Sequence, residues 1–232
     1  MSEYDIETRE YLRHGLTLMQ ASLIGGTEES TIRAIYDAFQ LHDLAEIVDL
    51  GCGAGGLSIG FRKINPILNI TAVTNSGYQY ELLRDIDRRI DVAMADMTNT
   101  GLAYERFDGA VFAESLGYVD ARSGLVEAHR LLRPGGVLVI KELCAKPNIT
   151  LQEYIDLETK RGRWGYAFSD SEHIEAIGRD IGFSVQSVTV PASFDRFINF
   201  VRTSQYMMAR HGSRTESLPL VTVLFRMVKR HV

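Results

Sequence analysis

The stretch Ile47-Val48-Asp49-Leu50-Gly51-Cys52-Gly53-Ala54-Gly55-Gly56 constrains this chain more than any other part of it. A short, mostly apolar run ends in glycines at alternate positions. That is how a buried strand runs into a tight turn, here followed by a helix near Leu57–Ile64 that stops before Asn65-Pro66. Glycine is needed where the backbone turns sharply and where a ligand must approach bare main chain. The helix opening just beyond presents unpaired amides to such a ligand. A turn with a purely structural role would need one glycine, not four.

The rhythm that begins at Glu46 continues down the chain. A second strand fits Asn69–Thr74, with a helix through Tyr80, Leu82, Leu83 and Ile86; a third fits Ile90–Ala95 and a fourth Phe107–Phe112. A helix over Arg122–Leu132 leads through the turn Arg133-Pro134-Gly135-Gly136 into a strand at Val137–Glu142. Strands alternating with helices predict parallel pairing, because a parallel crossover needs a dozen or more residues. After a helix at Ser169–Ile181 come a strand from Phe183 through Val190, a helical stretch over Asp195–Arg210 and a strand over Leu220–Val228, the last expected to insert antiparallel. Upstream, Tyr4, Tyr11, Leu12, Leu16 and Met19 follow helical spacing. Gly25-Gly26-Thr27 breaks that run, and a second helix continues through Ile32, Ile35, Tyr36 and Phe39. No strand is expected before Glu46.

Composition narrows the function classes. The net charge is −5; residues 1–150 hold 14 Lys+Arg and 21 Asp+Glu, a net of −7, and residues 151–232 hold 11 and 9, a net of +2. This balance speaks against a nonspecific nucleic-acid binder, which is normally basic. No window reaches the roughly 20 apolar residues of a membrane span, and the acidic start Met1-Ser2-Glu3-Tyr4-Asp5 lacks a secretion signal. Cys52 and Cys144 have neither metal-ligand spacing nor enough company for a disulfide framework, so no metal site and a reduced, cytoplasmic setting are expected.

Spacing alone leaves two ligands open, because Gly51, Gly53 and Gly56 also satisfy the dinucleotide fingerprint. A dinucleotide site wants an acid about 20 residues on for the ribose, whereas the second strand ends in Thr74-Asn75-Ser76. Asp49, just before the first glycine, would attract an amine and repel a pyrophosphate. From Glu46 onward the chain resembles the class I S-adenosylmethionine-dependent methyltransferases. Ile47–Gly56 resembles their first motif, Phe107-Asp108-Gly109-Ala110-Val111-Phe112-Ala113-Glu114-Ser115 their fourth-strand motif, and Leu131-Leu132-Arg133-Pro134-Gly135-Gly136 the turn before their fifth strand. Thr74-Asn75-Ser76-Gly77-Tyr78-Gln79 is similar to the T-x-S-x-x-Q segment of the cyclopropane-fatty-acid-synthase-like branch, which includes small-molecule methyltransferases.

The resemblance implies a Rossmann-like methyltransferase fold: a doubly wound, seven-stranded, mostly parallel sheet with its last strand antiparallel. One domain is expected over 1–232. It divides into a helical N-terminal extension (1–45), a cofactor-binding half (46–142), and a substrate-side lid with the C-terminal strands (143–232). The implied cofactor is S-adenosyl-L-methionine. Asp49 would serve its amino-acid end, with Gly51, Cys52, Gly53 and Gly55 in the loop; Thr74, Asn75 and Gln79 would lie at the ribose, and Asp96, Met97 and Ala113 around the adenine side. Glu114 is the candidate catalytic residue, as a proton acceptor or carbocation stabiliser, with structural acceptance of backbone amides as the equal alternative. Tyr118 is a weaker candidate.

The acceptor pocket is expected from the N-terminal helices, from Leu143–Phe168 read as a long lid connector, and from the insertion between the last two strands. Lys160-Arg161-Gly162-Arg163 with its neighbouring aromatics, then Arg196, Arg202, Arg210 and Arg214, keep an anionic small substrate open. A solvated basic face is the plainer alternative. The expected activity is methylation of carbon, oxygen or nitrogen in a small metabolite. An NAD(P)-dependent oxidoreductase and a nucleic-acid methyltransferase stand as alternatives; no N/D-P-P-Y/F segment follows the fourth strand.

Overall fold

A computed structural model describes residues 2–43, 45–211 and 218–230. In chain order the elements are α1 (Glu3–Arg13), β1 (Leu23–Ile24), α2 (Glu28–Phe39), β2 (Glu46–Leu50), α3 (Gly56–Ile64), β3 (Asn69–Thr74), α4 (Gly77–Ile86), β4 (Asp91–Met94) and β5 (Phe107–Ala113). A 3₁₀ turn at Leu116–Tyr118 precedes α5 (Ala121–Leu131) and β6 (Leu132–Ala145). The C-terminal third adds α6 (Leu151–Trp164), α7 (Ser171–Ile181), β7 (Phe183–Val190), β8 (Ala192–Ser193), α8 (Asp195–Thr203), α9 (Gln205–His211) and β9 (Leu220–Lys229).

The main sheet has seven strands in the order β4-β3-β2-β5-β6-β9-β7. Pairing from β4 through β6 is parallel. The last strand, β9, enters antiparallel between β6 and β7, as expected from the order of elements. Strands buried on both faces carry unbroken apolar runs, and Ile47, Val48 and Leu50 of β2 are fully buried. One face packs against α2, α3 and α4 through Ile35, Phe39, Phe61 and Leu83. The other packs against α5 and α7 through Leu125, Leu131, Ile174 and Ile177. A third cluster joins Tyr11 of α1 to Trp164 of α6, Phe197 and Phe200 of α8 and Met207 of α9, beyond the carboxyl edge of the sheet.

Four expectations need correction. The N-terminal region is not wholly helical: β1 pairs antiparallel with β8, tying residues 23–24 to the C-terminal insertion. Periodicity over two residues carries no signal, so such a strand is readable only from its partner. The stretch after β6 is not a long connector, since α6 fills it, with Thr150 and Glu153 forming a capping box. The helical stretch from Asp195 is two helices that part at Ser204. The turn at Arg133–Gly136 is absorbed into β6 as an irregularity between the Phe107↔Leu132 and Gly109↔Val137 pairs. Arg133 there bonds Asp108 and Glu46, fastening the sheet end opposite the pocket described below.

Candidate active site

The loop after β2 is built by positive backbone angles at Gly51 (φ 80), Gly53 (φ 55) and Gly55 (φ 81), a region that L residues with a Cβ rarely occupy. The amides of Gly51 and Cys52 both donate to the Val73 carbonyl at 3.0 Å, so the loop is pinned to the end of β3. A Cβ at Gly51 would stand 2.7 Å from Cβ of Ser115. Gly55 caps α3 without a side-chain hydrogen bond, leaving the helix N-terminus open. Its bare Cα instead lets Leu83 approach, and it lies outside the pocket lining.

A cavity opens at the carboxyl edge of β2, β3 and β5, where open α/β sheets place ligands. It spans about 920 Å³ between atoms, part of it open to solvent. The structure brings Asp49, Gly51, Cys52, Gly53, Thr74, Asn75, Gln79, Asp96, Met97, Ala113 and Glu114 together in its wall. These residues span the chain from 49 to 114, which is the expected grouping with Gly55 left out.

Their partners sort them. Asp49 is buried with one donor, Ser58 Oγ at 2.6 Å, and desolvation pushes its carboxyl up to about 6. A buried acid with so little compensation is poised for a cation. Asn75 is exposed at the rim, whereas Ser76 caps α4. Gln79 is not the open ribose contact expected. Its Oε1 accepts from Thr74 Oγ1 at 2.6 Å and its Nε2 donates to Thr8 Oγ1 at 2.8 Å, latching α1 onto α4. Asp96 uses Oδ1 in a turn, accepting from the amide and hydroxyl of Thr98 at 2.8 and 2.7 Å. Cys52 is buried, and burial holds its thiol well above the ordinary range, so it contributes surface and no thiolate.

Of the two roles left open for Glu114, the structure shows the structural one. Its carboxylate accepts from the Ala21 amide at 2.6 Å, from the Ser22 amide at 3.1 Å and hydroxyl at 2.7 Å, and from the Lys141 ammonium. Lys141, fully buried in β6, also donates to Gln20 Oε1 at 2.9 Å and to the Ser22 carbonyl at 2.6 Å. A carboxylate already holding an ammonium and three further donors is an anchor and not a free proton acceptor. What it anchors is the segment from Thr17 to Ser22, which crosses the glycine loop; a Cβ at Gly56 would meet the Thr17 carbonyl at 2.4 Å.

That segment was the main omission of the sequence reading. Thr17, Leu18, Met19 and Gln20 line the pocket, as do Tyr4 and Glu7 of α1. The available signal was Lys141-Glu142, two ionisable residues in the middle of a run otherwise apolar, which demand buried partners. Arg196 completes the fastening by donating to the carbonyls of Leu18 and Gln20 at 2.7 and 2.9 Å and pairing with Glu28. Arg210 pairs with Glu3 and Glu7. Arg196 and Arg210 therefore serve internal carboxylates and carbonyls, which removes them as carriers of the anionic-substrate expectation; Arg161 and Arg202 are exposed, and Arg214 lies outside the described residues. Among the described residues no group of three or more His, Cys, Asp or Glu is placed to hold a metal ion. No described helix is long and apolar enough to cross a membrane.

Residues 48–140 match the family described as methyltransferase domain. That match covers about two fifths of the chain. Over 115 residues this chain is 30% identical to the O-methyltransferase rstn1 of Aspergillus nomiae, an alignment covering 44% of this chain and 51% of that one. Over 97 residues it is 32% identical to ribosomal RNA-processing protein 8 of Arabidopsis thaliana, covering 42% of this chain and 29% of that one. The chain thus spans about half or less of the length of these curated relatives. Among solved structures, the [4+2]-cyclase SpnF superposes with a TM-score of 0.83 at 17% identity, covering 99% of this chain and 94% of that one. Geranyl diphosphate methyltransferase in complex with SAM superposes with a TM-score of 0.72 at 18% identity, covering 87% and 85%. At such identities the likeness is one of fold.

Proposed function

We propose that this chain is a class I methyltransferase that uses S-adenosylmethionine to methylate a small molecule. The observation that carries the reading is the pairing of the buried Asp49 carboxylate with the uncapped N-terminus of α3, both facing the same glycine-lined cavity. An amino acid carries an amine and a carboxylate. Asp49 suits the first, and the free amides at Gly56 and Leu57 suit the second. A pyrophosphate, by contrast, would have to sit beside a buried acid, which disfavours the nicotinamide alternative.

The cavity fits the cofactor in a further respect: the bare backbone at Gly51 and Gly53 lies in the wall, where side chains would take ligand space. When bound, the sulfonium supplies a methyl group open to direct displacement, with no enzyme nucleophile required. Asn75 at the rim is the contact suited to the ribose hydroxyls, and the free Oδ2 of Asp96 to the adenine amine. The chain's own contribution is then orientation and exclusion of water, to which the segment over Thr17–Ser22 is suited. A smaller cavity adjoining the first, in a chain of net charge −5, favours a small acceptor over a nucleic acid.

Calorimetric titration with S-adenosylhomocysteine and with NAD separates the two cofactors, and tight NAD binding without a homocysteine-adduct signal would overturn the reading. Gly53→Val gives the local test. A Cβ there points at Met19 Sδ, 3.3 Å away, from a backbone with φ 55. Affinity for S-adenosylhomocysteine is expected to fall at least tenfold with the circular dichroism spectrum unchanged. Unaltered binding would place the cofactor elsewhere.

A further inference from the structure

A second cavity of about 460 Å³ lies directly beside the first, and the two share Glu7, Met19, Glu114 and Tyr118 in their walls. The rings of Tyr11, Trp164, Tyr166, Phe197 and His211 share its remaining wall with Ala21, Leu143 and Met207. Four polar atoms of this wall are buried without a hydrogen-bond partner among the described residues, namely Trp164 Nε1, Tyr166 Oη and both ring nitrogens of His211. Buried polar groups are almost always satisfied. So many around one space describe a site whose partners arrive with its occupant.

We propose that this chamber is the methyl-acceptor site, that its acceptor is a flat aromatic molecule carrying a hydroxyl, and that the hydroxyl proton passes to His211 with Glu7 as positioning residue. The inference rests on the methyltransferase reading above. The walls decide the shape, since edge-to-face pairs such as Tyr118–Tyr166 (4.9 Å) and Trp164–His211 (4.8 Å) leave ring faces and edges for another ring. An aliphatic occupant would leave the four polar atoms unpaired. An anionic one would face Glu7 and Glu114, and Arg210 is already held by Glu3 and Glu7.

Nε2 of His211 stands 3.4 Å from Glu7 Oε1, leaving Nδ1 as the free acceptor. In the transfer, the hydroxyl oxygen forms a bond to the methyl carbon as the methyl–sulfur bond breaks, its electron pair going to sulfur. The hydroxyl proton moves to Nδ1, and the imidazolium formed lies beside the Glu7 carboxylate. The other ionisable groups around the pair are Glu3, Tyr4 and Tyr11 on α1, Tyr118 after β5, and Tyr206 and Arg210 on α9. From α6, Lys160 donates to the His211 carbonyl. Desolvation raises the phenols of Tyr4, Tyr11 and Tyr118, with Glu7 adding to the effect, so these tyrosines stay neutral and do not compete for the proton.

The protein contains a single tryptophan, and it lines the chamber. Titration of the full chain with 4-nitrocatechol, with and without S-adenosylhomocysteine, therefore reads occupancy by quenching of Trp164 and protonation by the visible phenolate band of the bound probe. Saturable quenching is expected, with ionisation of the bound probe favoured about tenfold over the free probe. His211→Gln should abolish that tenfold preference while quenching persists, and Glu7→Gln should reduce it. Tyr166→Phe, which removes a hydroxyl with no partner among the described residues and so spares the fold, should weaken binding several-fold and leave the ionisation preference intact. Unsaturable quenching, equal competition by cyclohexane-1,2-diol, or a His211→Gln variant that ionises the probe like wild type would each overturn the proposal. Loss of S-adenosylhomocysteine binding in calorimetry would instead strike the cofactor reading, since the probe is also titrated alone.

Discussion

Lys141→Met is expected to destabilise the protein by about 3–5 kcal/mol, the usual cost of stranding one member of a buried ion pair. For a chain of this length that lowers Tm by roughly 6–20 °C. The side chain is fully buried, and the ammonium bonds Glu114, Gln20 and Ser22 at once. Methionine matches its length but leaves the Glu114 carboxylate uncompensated and the Ser22 carbonyl with one partner fewer. The decisive comparison is the double variant. Glu114→Gln in the wild-type background strands the lysine and also destabilises; added to Lys141→Met it removes the stranded charge and should restore part of the stability, a coupling that thermal melts of the four proteins measure. Strictly additive losses would mean that the pair does not act as a unit. Cofactor affinity should fall in parallel, because the anchored segment from Thr17 to Ser22 lies over the glycine loop.

Asp49→Asn should do two opposite things. Folding raises this carboxyl from 3.8 to about 6 by burial, with only Ser58 in opposition. The folded chain therefore holds the proton more tightly than the unfolded chain, and stability falls as pH rises from about 4 to 6, with the deficit complete above 6. By linkage that deficit is about 3 kcal/mol. Asparagine carries no such cost, so the ligand-free variant should melt roughly 6–12 °C higher at pH 8 and differ little from wild type at pH 4. Its affinity for S-adenosylhomocysteine should drop ten- to a hundredfold at pH 8, since a charged partner for the ligand amine is lost. A variant that binds normally, or melts lower at both pH values, would contradict the role given to Asp49.

Both variants touch residues that the linear chain shows in different degrees. Asp49 is legible: it precedes glycines whose positive φ no other residue tolerates well, and its burial follows from lying in an apolar strand. Lys141 is visible only as an anomaly, an ionisable side chain inside Val137–Leu143. Glu114 has two roles open to it from sequence alone, and its four donors, from residues 21, 22 and 141, select the structural one. Gln79 is likewise engaged by a residue distant in sequence, through a bond to Thr8 of α1. The arginines of the insertion looked available to an anion until Glu28, Glu3 and Glu7 were found beside two of them.

Taken alone, the sequence determined the order of the main-sheet strands, the antiparallel last strand and most of the residues around the cavity at the carboxyl edge. Those features follow from hydrophobic period and local backbone demands, which act within a few residues of one another. What only the tertiary structure decided is which polar groups are already engaged and which are left free. Hydrogen-bond satisfaction is a property of neighbours in space, and here the neighbours are Thr8 with Gln79 and Gln20 with Lys141. The N-terminal segment read as an addition in front of the sheet closes over the cavity, because β1 pairs with β8 and Glu114 holds Ala21 and Ser22. No local pattern encodes those contacts. They exist because the topology brings the N-terminal segment and the insertion between β7 and β9 to the carboxyl edge of the same sheet.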